Sequence, residues 1–376
     1  MTSSLLVLRA PSANRVYTAA AGALTAREAH WVLGAHLGAP VPIREREIAG
    51  LEHLEIRAED TDSVRGLLAT LSSAFAVFAP QDGASGAADV GPGAADADEP
   101  LLRPVRLPHM LRHGSELETT LRYPGKTNEQ FTALLVNLAA ALSTRRARLL
   151  DGELSLLDPT CGRGTTLNRA LRLGLSPTGA DLDRKDLEAY RAFLVTWAKQ
   201  RRLPHTQSSG RLRIPGQSPG SRWDLELAAD RAAQRAGDTQ GVHVLTCDTT
   251  HLDEVLPSRS VDSLVADLPY GVQHGARTES WQRSPLDLLQ AAAPAWRSLL
   301  RDGGGMALAL NRRTAPYESV RGILGEHGLE VVSRDGEFRH RVDQSIDRDV
   351  VLAVPSSHPQ RERLHELAAL STTSPT

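Results

Sequence analysis

The sequence predicts an α/β fold: a mostly parallel sheet with an antiparallel edge, preceded by a small α+β unit. Three observations carry this. From about residue 128 onward, apolar runs of strand length alternate with segments whose apolar residues recur at helical spacing, which implies βαβ units and a parallel sheet. Near the end, LEVVSRDGEFRH and DRDVVLAVP follow one another as two strand-like runs, suggesting a closing antiparallel pair. Between residues 80 and 100 the composition breaks: PQDGASGAADVGPGAADADEP is rich in Gly, Ala, Pro and Asp and has no aromatic residue. Such a segment cannot bury enough apolar surface to offset its ordering entropy, and it reads as a flexible linker. The expected division is an N-terminal α+β accessory domain at 1–80 with a possible RNA-docking role, a linker at 81–100, a larger unit at 101–355, and a C-terminal tail at 356–376.

The small unit opens with a strand from Leu5 to Ala10. A helix over LTAREAHWVLGAHLG follows, with Thr25 as its capping candidate. A second strand runs from His53 to Ala58, and DTDSVRGLLATLSSA reads as a second helix. No catalytic constellation lies here. In the larger unit Asn128 to Arg146 is helical by apolar period. LSLLDPT is a strand entering a loop, TTLNRALRLG a helix ended by Gly174, SPTGADLD a second strand, and RKDLEAYRAFLVTWAKQRR a second helix. VHVLTCD, VDSLVADLPYG and GGGMALAL are the third, fourth and fifth strands.

Composition bounds the function. The chain has 376 residues, which at about 100–200 residues per domain suggests two or three domains. Hydrophobic residues are 41%, charged residues 23%, and the net charge is -2, which excludes a wholly basic nucleic-acid coat but not a local basic face. Lysine occurs only at Lys126, Lys185 and Lys199, so arginine supplies nearly all of the positive charge; this reads as codon bias. Two cysteines make no disulfide framework and suit a reducing compartment. No apolar run reaches the ~18 residues of a membrane helix. The N-terminus lacks the basic lead and cleavage region of a signal peptide. A cytoplasmic protein is expected. Cys161 and Cys247 have no partners at zinc spacing, so no metal is expected.

The chemistry concentrates at strand ends. In LLDPTCGRGTTL an apolar strand ends at Asp158, and Gly162 and Gly164 then permit a tight turn before a helix. No G-K-[ST] follows, so this is not a phosphate P-loop, and Leu167 occupies the third glycine position of a G-x-G-x-x-G. Asp181 ends the second strand about twenty residues on, where an acid can accept hydrogen bonds from ribose hydroxyls. Asp248 ends the third. Each acid alone is most often a solvated loop residue; three at three successive strand ends point to a ligand at the carboxyl edge of the sheet.

This set resembles the S-adenosylmethionine-dependent methyltransferases, and DPTCGRGTT matches their first motif in the amino-methyltransferase form. The resemblance implies a Rossmann-like methyltransferase sheet over 101–355 with S-adenosylmethionine as cofactor. Asp158, Thr160, Gly162 and Gly164 would flank its methionine part, Asp181 would hold the ribose, and Asp248 would contact adenine. The fourth strand ends in Asp267-Leu268-Pro269-Tyr270-Gly271, which resembles the D/N-x-P-Y/F/W motif of enzymes that methylate exocyclic amines. The amine of a base is a poor nucleophile because its lone pair delocalises into the ring. A carboxylate accepting an amine hydrogen orients that lone pair toward the methyl carbon, a positioning effect. Pro269 stiffens the turn, and Tyr270 offers a face for stacking a splayed-out base, worth ~1–3 kcal/mol in related contacts.

Leu268 matters because many DNA amino-methyltransferases carry Pro-Pro here. The Leu-Pro-Tyr-Gly form, with LRYPGKTNEQF before the first helix, is similar to the tRNA guanine-N2 methyltransferases that carry THUMP domains. That resemblance implies methylation of guanine-N2 in tRNA. DNA adenine or cytosine, or a small-molecule or protein amide, are the alternative substrates. Two features depart from the family: the N-terminal unit does not match a THUMP domain, and the first and fourth motifs are 109 positions apart, with the excess around 199–240. From Lys199 to Arg222 there are six basic residues and no acid, a candidate RNA contact. His274 and Asn311 are minor candidates for the substrate pocket.

Overall fold

The computed structural model describes residues 2–12, 14–81, 100–214, 216–217, 219–269 and 284–371. Two sheets form. The first is antiparallel throughout and built from β1 (Thr2–Arg9), β2 (Ile43–Ile48), β3 (Leu51–Glu59), β4 (Ala74–Gln81) and β5 (Leu101–Pro104), in the order β2-β3-β1-β4-β5. Helices α1 (Arg15–Leu37) and α2 (Asp62–Thr70) belong to this unit. The boundary differs from the expected one: β5 pairs with β4 although it lies past the compositional break. Thr25 is not a cap but sits inside α1, its hydroxyl donating to the Ala21 carbonyl at 2.6 Å. At the start of α1 the Asn14 side chain accepts from the Tyr17 N–H at 3.3 Å, and α2 is capped by Thr61, whose side chain accepts from the Val64 N–H.

The second sheet has ten strands. After α3 (Glu116–Thr119) and α4 (Glu129–Leu142) come β6 (Leu156–Asp158), α5 (Thr165–Arg172), β7 (Thr178–Asp181) and α6 (Arg184–Gln200). A hairpin of β8 (His205–Leu212) and β9 (Gly220–Leu227) follows, then α7 (Arg231–Ala236), β10 (Gln240–Thr246), β11 (Val261–Asp267), α8 (Pro285–Leu299) and β12 (Leu300–Asn311). The chain closes with α9 (Tyr317–Glu326), β13 (Leu329–Val331), β14 (His340–Arg341), β15 (Asp347–Pro355) and α10 (Arg361–Leu370). The strand order is β13-β15-β12-β11-β6-β7-β10-β9-β8, with β14 on β15. The five central strands are parallel, and β15 returns antiparallel as expected. The second antiparallel edge, β9 on β10 with β8 outside it, lies in the segment that accounts for the long interval between motifs. Its signal was weak because β8 is polar and mostly exposed, so alternation is not visible there.

Residue parity assigns the faces. Leu156, Val265, Ala307 and Val350 join one core with α4, while Leu157, Ala180, Leu245, Leu264 and Leu308 join another with α8. The N-terminal unit is not separate from this packing. Leu24 and Trp31 of α1 and Leu54 and Ile56 of β3 share the α4 core with Phe131, Leu134 and Leu138. The segment expected as a tail forms α10, which lies on α1, with the Leu367 carbonyl 2.8 Å from His30 Nε2. No helix among the described residues is long and apolar enough to cross a membrane.

Candidate active site

The carboxyl ends of β6, β7, β10 and β11 form one edge. Strand parity puts Asp158, Asp181 and Asp267 on the α4 side of it, since Asp158 aligns with Gly179 and Val265 precedes Asp267 by two. The glycine loop is pinned onto β7. Cys161 N–H donates to the Ala180 carbonyl at 2.9 Å, and Gly162 N–H donates to Asp181 Oδ2 at 2.8 Å. Asp181 Oδ1 accepts from Asp183 N–H at 2.9 Å. Gly164 enters α5 with φ +74°, and a Cβ there would lie 2.4 Å from the buried Tyr190 ring. Gly162 has φ +48° with open space where a Cβ would project, so backbone is exposed to whatever occupies the edge. Thr160 N–H donates to Asp158 Oδ1 at 3.1 Å, while the buried Thr160 hydroxyl has no partner. Asp248 turns away from the strand to cap the following 3-10 turn: its Oδ1 accepts from Thr250 N–H at 3.0 Å and from the Thr250 hydroxyl at 2.8 Å.

Asp267 ends β11, and its Oδ2 accepts the Thr127 hydroxyl at 2.8 Å across 140 positions of sequence. Leu268 is 1% exposed, and its N–H donates to the Ala309 carbonyl at 3.0 Å, so it anchors the motif in the core. Pro269 is exposed. Tyr270, like Gly271 and His274, lies outside the described residues. The segment that supplies Thr127 also holds the glycine loop. Tyr123 Oη and Thr165 Oγ1 are 2.9 Å apart, and the Arg163 guanidinium lies 4.8 Å from the Tyr123 ring centroid while bonding Asp186 at 2.8 Å. One stretch thus touches both halves of the edge. Thr127 and Tyr123 were legible only as part of LRYPGKTNEQF; their individual contacts need the fold. Asn311 is tied to the segment entering β15: its Nδ2 donates to the Ser345 carbonyl and its Oδ1 accepts from the Asp347 N–H, at 3.1 Å each.

The electrostatics follow from burial. Burial pushes the Asp158 carboxyl up to about 7, against hydrogen bonds from Thr166 and Thr160, and the nearby Asp181 and Asp267 add to the rise. Asp181 is raised by the same cause. Burial pushes the Cys161 thiol well up, so it stays protonated. His340, which sequence reasoning missed, is buried at the far end of this side of the sheet, and its ring centroid is 5.0 Å from that of Phe131. Its Nδ1 donates to the Phe338 carbonyl at 3.0 Å, its Nε2 has no partner, and burial lowers its pKa to about 4. Among the described residues no group of acids, histidines and cysteines has a metal-holding arrangement.

The model of the RMKL-like, methyltransferase domain family matches residues 125–322. The chain belongs to this family. The match begins at the segment carrying Thr127 and spans every strand-end acid of the site. No curated protein matches the chain. Among solved structures it is similar to TrmN from Thermus thermophilus, with 17% identity, 86% of this chain and 64% of that chain covered, and a TM-score of 0.37. The chain therefore spans just under two thirds of TrmN. An rRNA methylase from Streptococcus thermophilus matches at 10% identity over 58% of this chain and 91% of that one, with a TM-score of 0.33. Magnesium protoporphyrin IX methyltransferase from Synechocystis, with bound SAM, matches at 14% identity over 62% and 87%, also with a TM-score of 0.33.

The cofactor of this methyltransferase domain is S-adenosylmethionine, and the residues present fit it. The unpartnered Thr160 hydroxyl, the open Gly162 backbone and the buried acids form a polar, acidic edge suited to a ligand with an amino group and ribose hydroxyls.

Proposed function

We propose that this protein is a methyltransferase acting on an exocyclic amine of a nucleobase, with guanine-N2 in tRNA as the substrate. One observation carries the reading. The Asp267 carboxylate stands at the end of β11, on the same side of the sheet edge as Asp158 and Asp181, and is held there by Thr127. In this reading the segment that leads into α4 holds an amine acceptor beside the cofactor site.

In this reading Asp158, Thr160, Gly162 and Gly164 bind the methionine part, Asp181 the ribose and Asp248 the adenine end. Bound S-adenosylmethionine supplies an electrophilic methyl group. Asp267 accepts one amine hydrogen and aims the nitrogen lone pair, which raises the effective molarity of the reacting pair. Buried Leu268 fixes the height of the motif, Pro269 restricts its turn, and Tyr270 stacks on a base drawn out of its helix. The nitrogen gives its proton to water after the new N–C bond forms, so no strong general base is required. The Leu-Pro-Tyr-Gly form of the motif favours RNA over DNA. Such a substrate agrees with a cytoplasmic protein.

Nucleoside mass spectrometry of tRNA and DNA from cells with and without the gene tests this. Loss of a methylguanosine from tRNA is the expected result. Unchanged methylguanosine removes the substrate, and a methylated base lost from DNA instead would move the same chemistry to DNA.

A further inference from the structure

We propose that Arg211 and Arg213, at the end of β8, form a phosphate-binding arm for the RNA substrate, set beside the adenine end of the cofactor site. The inference rests on the RNA reading above. Register places the arm: β9 runs antiparallel to β10 with Ser221 opposite Thr246, and Leu212 of β8 lies opposite Gly220. The turn end of the hairpin therefore lies at the carboxyl edge that carries Asp158, Asp181 and Asp267, three to five strands away from them.

Described residues on both sides of the arm are anchored. Ile214 is 6% exposed and packs with Leu245, Cys247 and Leu252. Gly220 approaches the Thr246 carbonyl so closely that a Cβ would lie 2.4 Å from it. Arg184, in the first turn of α6, donates to the Pro219 carbonyl at 3.3 Å. Arg211 and Arg213 are exposed, and neither has a carboxylate partner among the described residues. Arg184 and Lys185, at the start of α6, are also exposed. The neighbouring carboxylates are already engaged: Asp183 caps α6, Asp186 binds Arg163, and Asp224 binds Arg222 and His243.

The chemistry selects a phosphodiester backbone over bases. The one aromatic residue of the hairpin, Trp223, is buried, with its indole N–H donating to Gln207 at 3.2 Å, so no ring is offered for stacking. Two guanidinium groups at the end of β8 suit bidentate contact with phosphate oxygens. The exposed residues of β8 are Thr206, Gln207, Ser208, Ser209, Gly210 and Arg211, which present no large apolar side chain to a protein partner.

The test compares the full chain with its Arg211→Gln/Arg213→Gln variant, reading binding of bulk tRNA by fluorescence anisotropy over a salt series. Cofactor affinity by calorimetry serves as the folding control, because the arm abuts that site. The variant is expected to bind tRNA about tenfold or more weakly at low salt, with the slope of log affinity against log salt reduced by roughly 1.5, as two lost phosphate contacts require. Its S-adenosylmethionine affinity should be unchanged. If the unaltered protein binds tRNA and the variant keeps both affinity and slope, the arm is overturned and the substrate reading stands. If the unaltered protein does not bind tRNA, both fall.

Discussion

Asp267 and Asp158 stand on the same side of neighbouring strands, yet their surroundings assign them different work. Asp267 is held by the Thr127 hydroxyl at the end of β11; Asp158 is buried and held by the glycine loop. Asp267→Ala should therefore lower turnover about 100-fold or more, the scale of a misplaced reactant, while calorimetry shows S-adenosylmethionine affinity unchanged. A comparable loss of affinity would contradict the role. For Asp158 the sign of the pH effect is defined. Its folded pKa of about 7 lies above the unfolded carboxyl value of roughly 4, so the folded state holds the proton more tightly between them. That stabilisation is complete at low pH and is lost as pH rises through about 7. Asp158→Asn removes the ionising group, so the free protein's Tm should rise relative to the unaltered chain at about pH 8 and converge with it only near pH 3, below the unfolded carboxyl value. Scanning calorimetry at the two pH values checks this, and an equal shift at both would rule it out.

At the scale of elements, the glycine loop shows why two glycines two positions apart are not equivalent. Both have positive φ, but only Gly164 faces a packed ring. Gly164→Ala should cost about 2–5 kcal/mol, adding overpacking to backbone strain. Gly162→Ala meets nothing and should cost only the left-handed penalty, about 1–2 kcal/mol. Urea midpoints of the two variants give the comparison, and equal costs would show that the Tyr190 contact relaxes freely. The loop itself was legible from sequence, because a strand ending in an acid, two spaced glycines and a helix start form a local pattern. The hairpin of β8 and β9 was not, because its exposed, polar first strand lacks the alternation that marks a half-buried strand. The capping role given to Thr25 failed for a related reason: α1 continues through it, since its first turns are buried against the sheet of the N-terminal unit and α4.

The whole molecule behaves as one packed body across its two sheets. A polar knot closes the seam. Asn137 of α4 donates to Glu28 of α1 at 2.6 Å and to the Thr70 carbonyl at 2.7 Å, and Arg169 of α5 donates to the same carbonyl at 2.7 Å. Burial raises the Glu28 pKa, opposed by bonds from Asn137 and Ser72. Trp31 reaches across to Glu337 at 2.7 Å. Calorimetry should therefore record a single cooperative transition, and Asn137→Ala should lower stability by about 1–3 kcal/mol by leaving buried acceptors unmet. Two separated transitions would show that the units fold independently.

What the sequence determined by itself is the set of strand ends and what stands on them: Asp158, the glycines, Asp181, Asp248 and the Asp267 motif. These are legible because each joins a local apolar run to the residue that ends it. What only the tertiary structure decided is how distant segments close on that edge. Thr127 meets Asp267, Ile214 after β8 packs with Leu245 of β10, and α1 and α10 are built into the α4 core. The reason is physical. Strand ends follow from local pattern, but which buried faces meet depends on the burial of apolar surface summed over the whole chain, and no short window of sequence contains that sum.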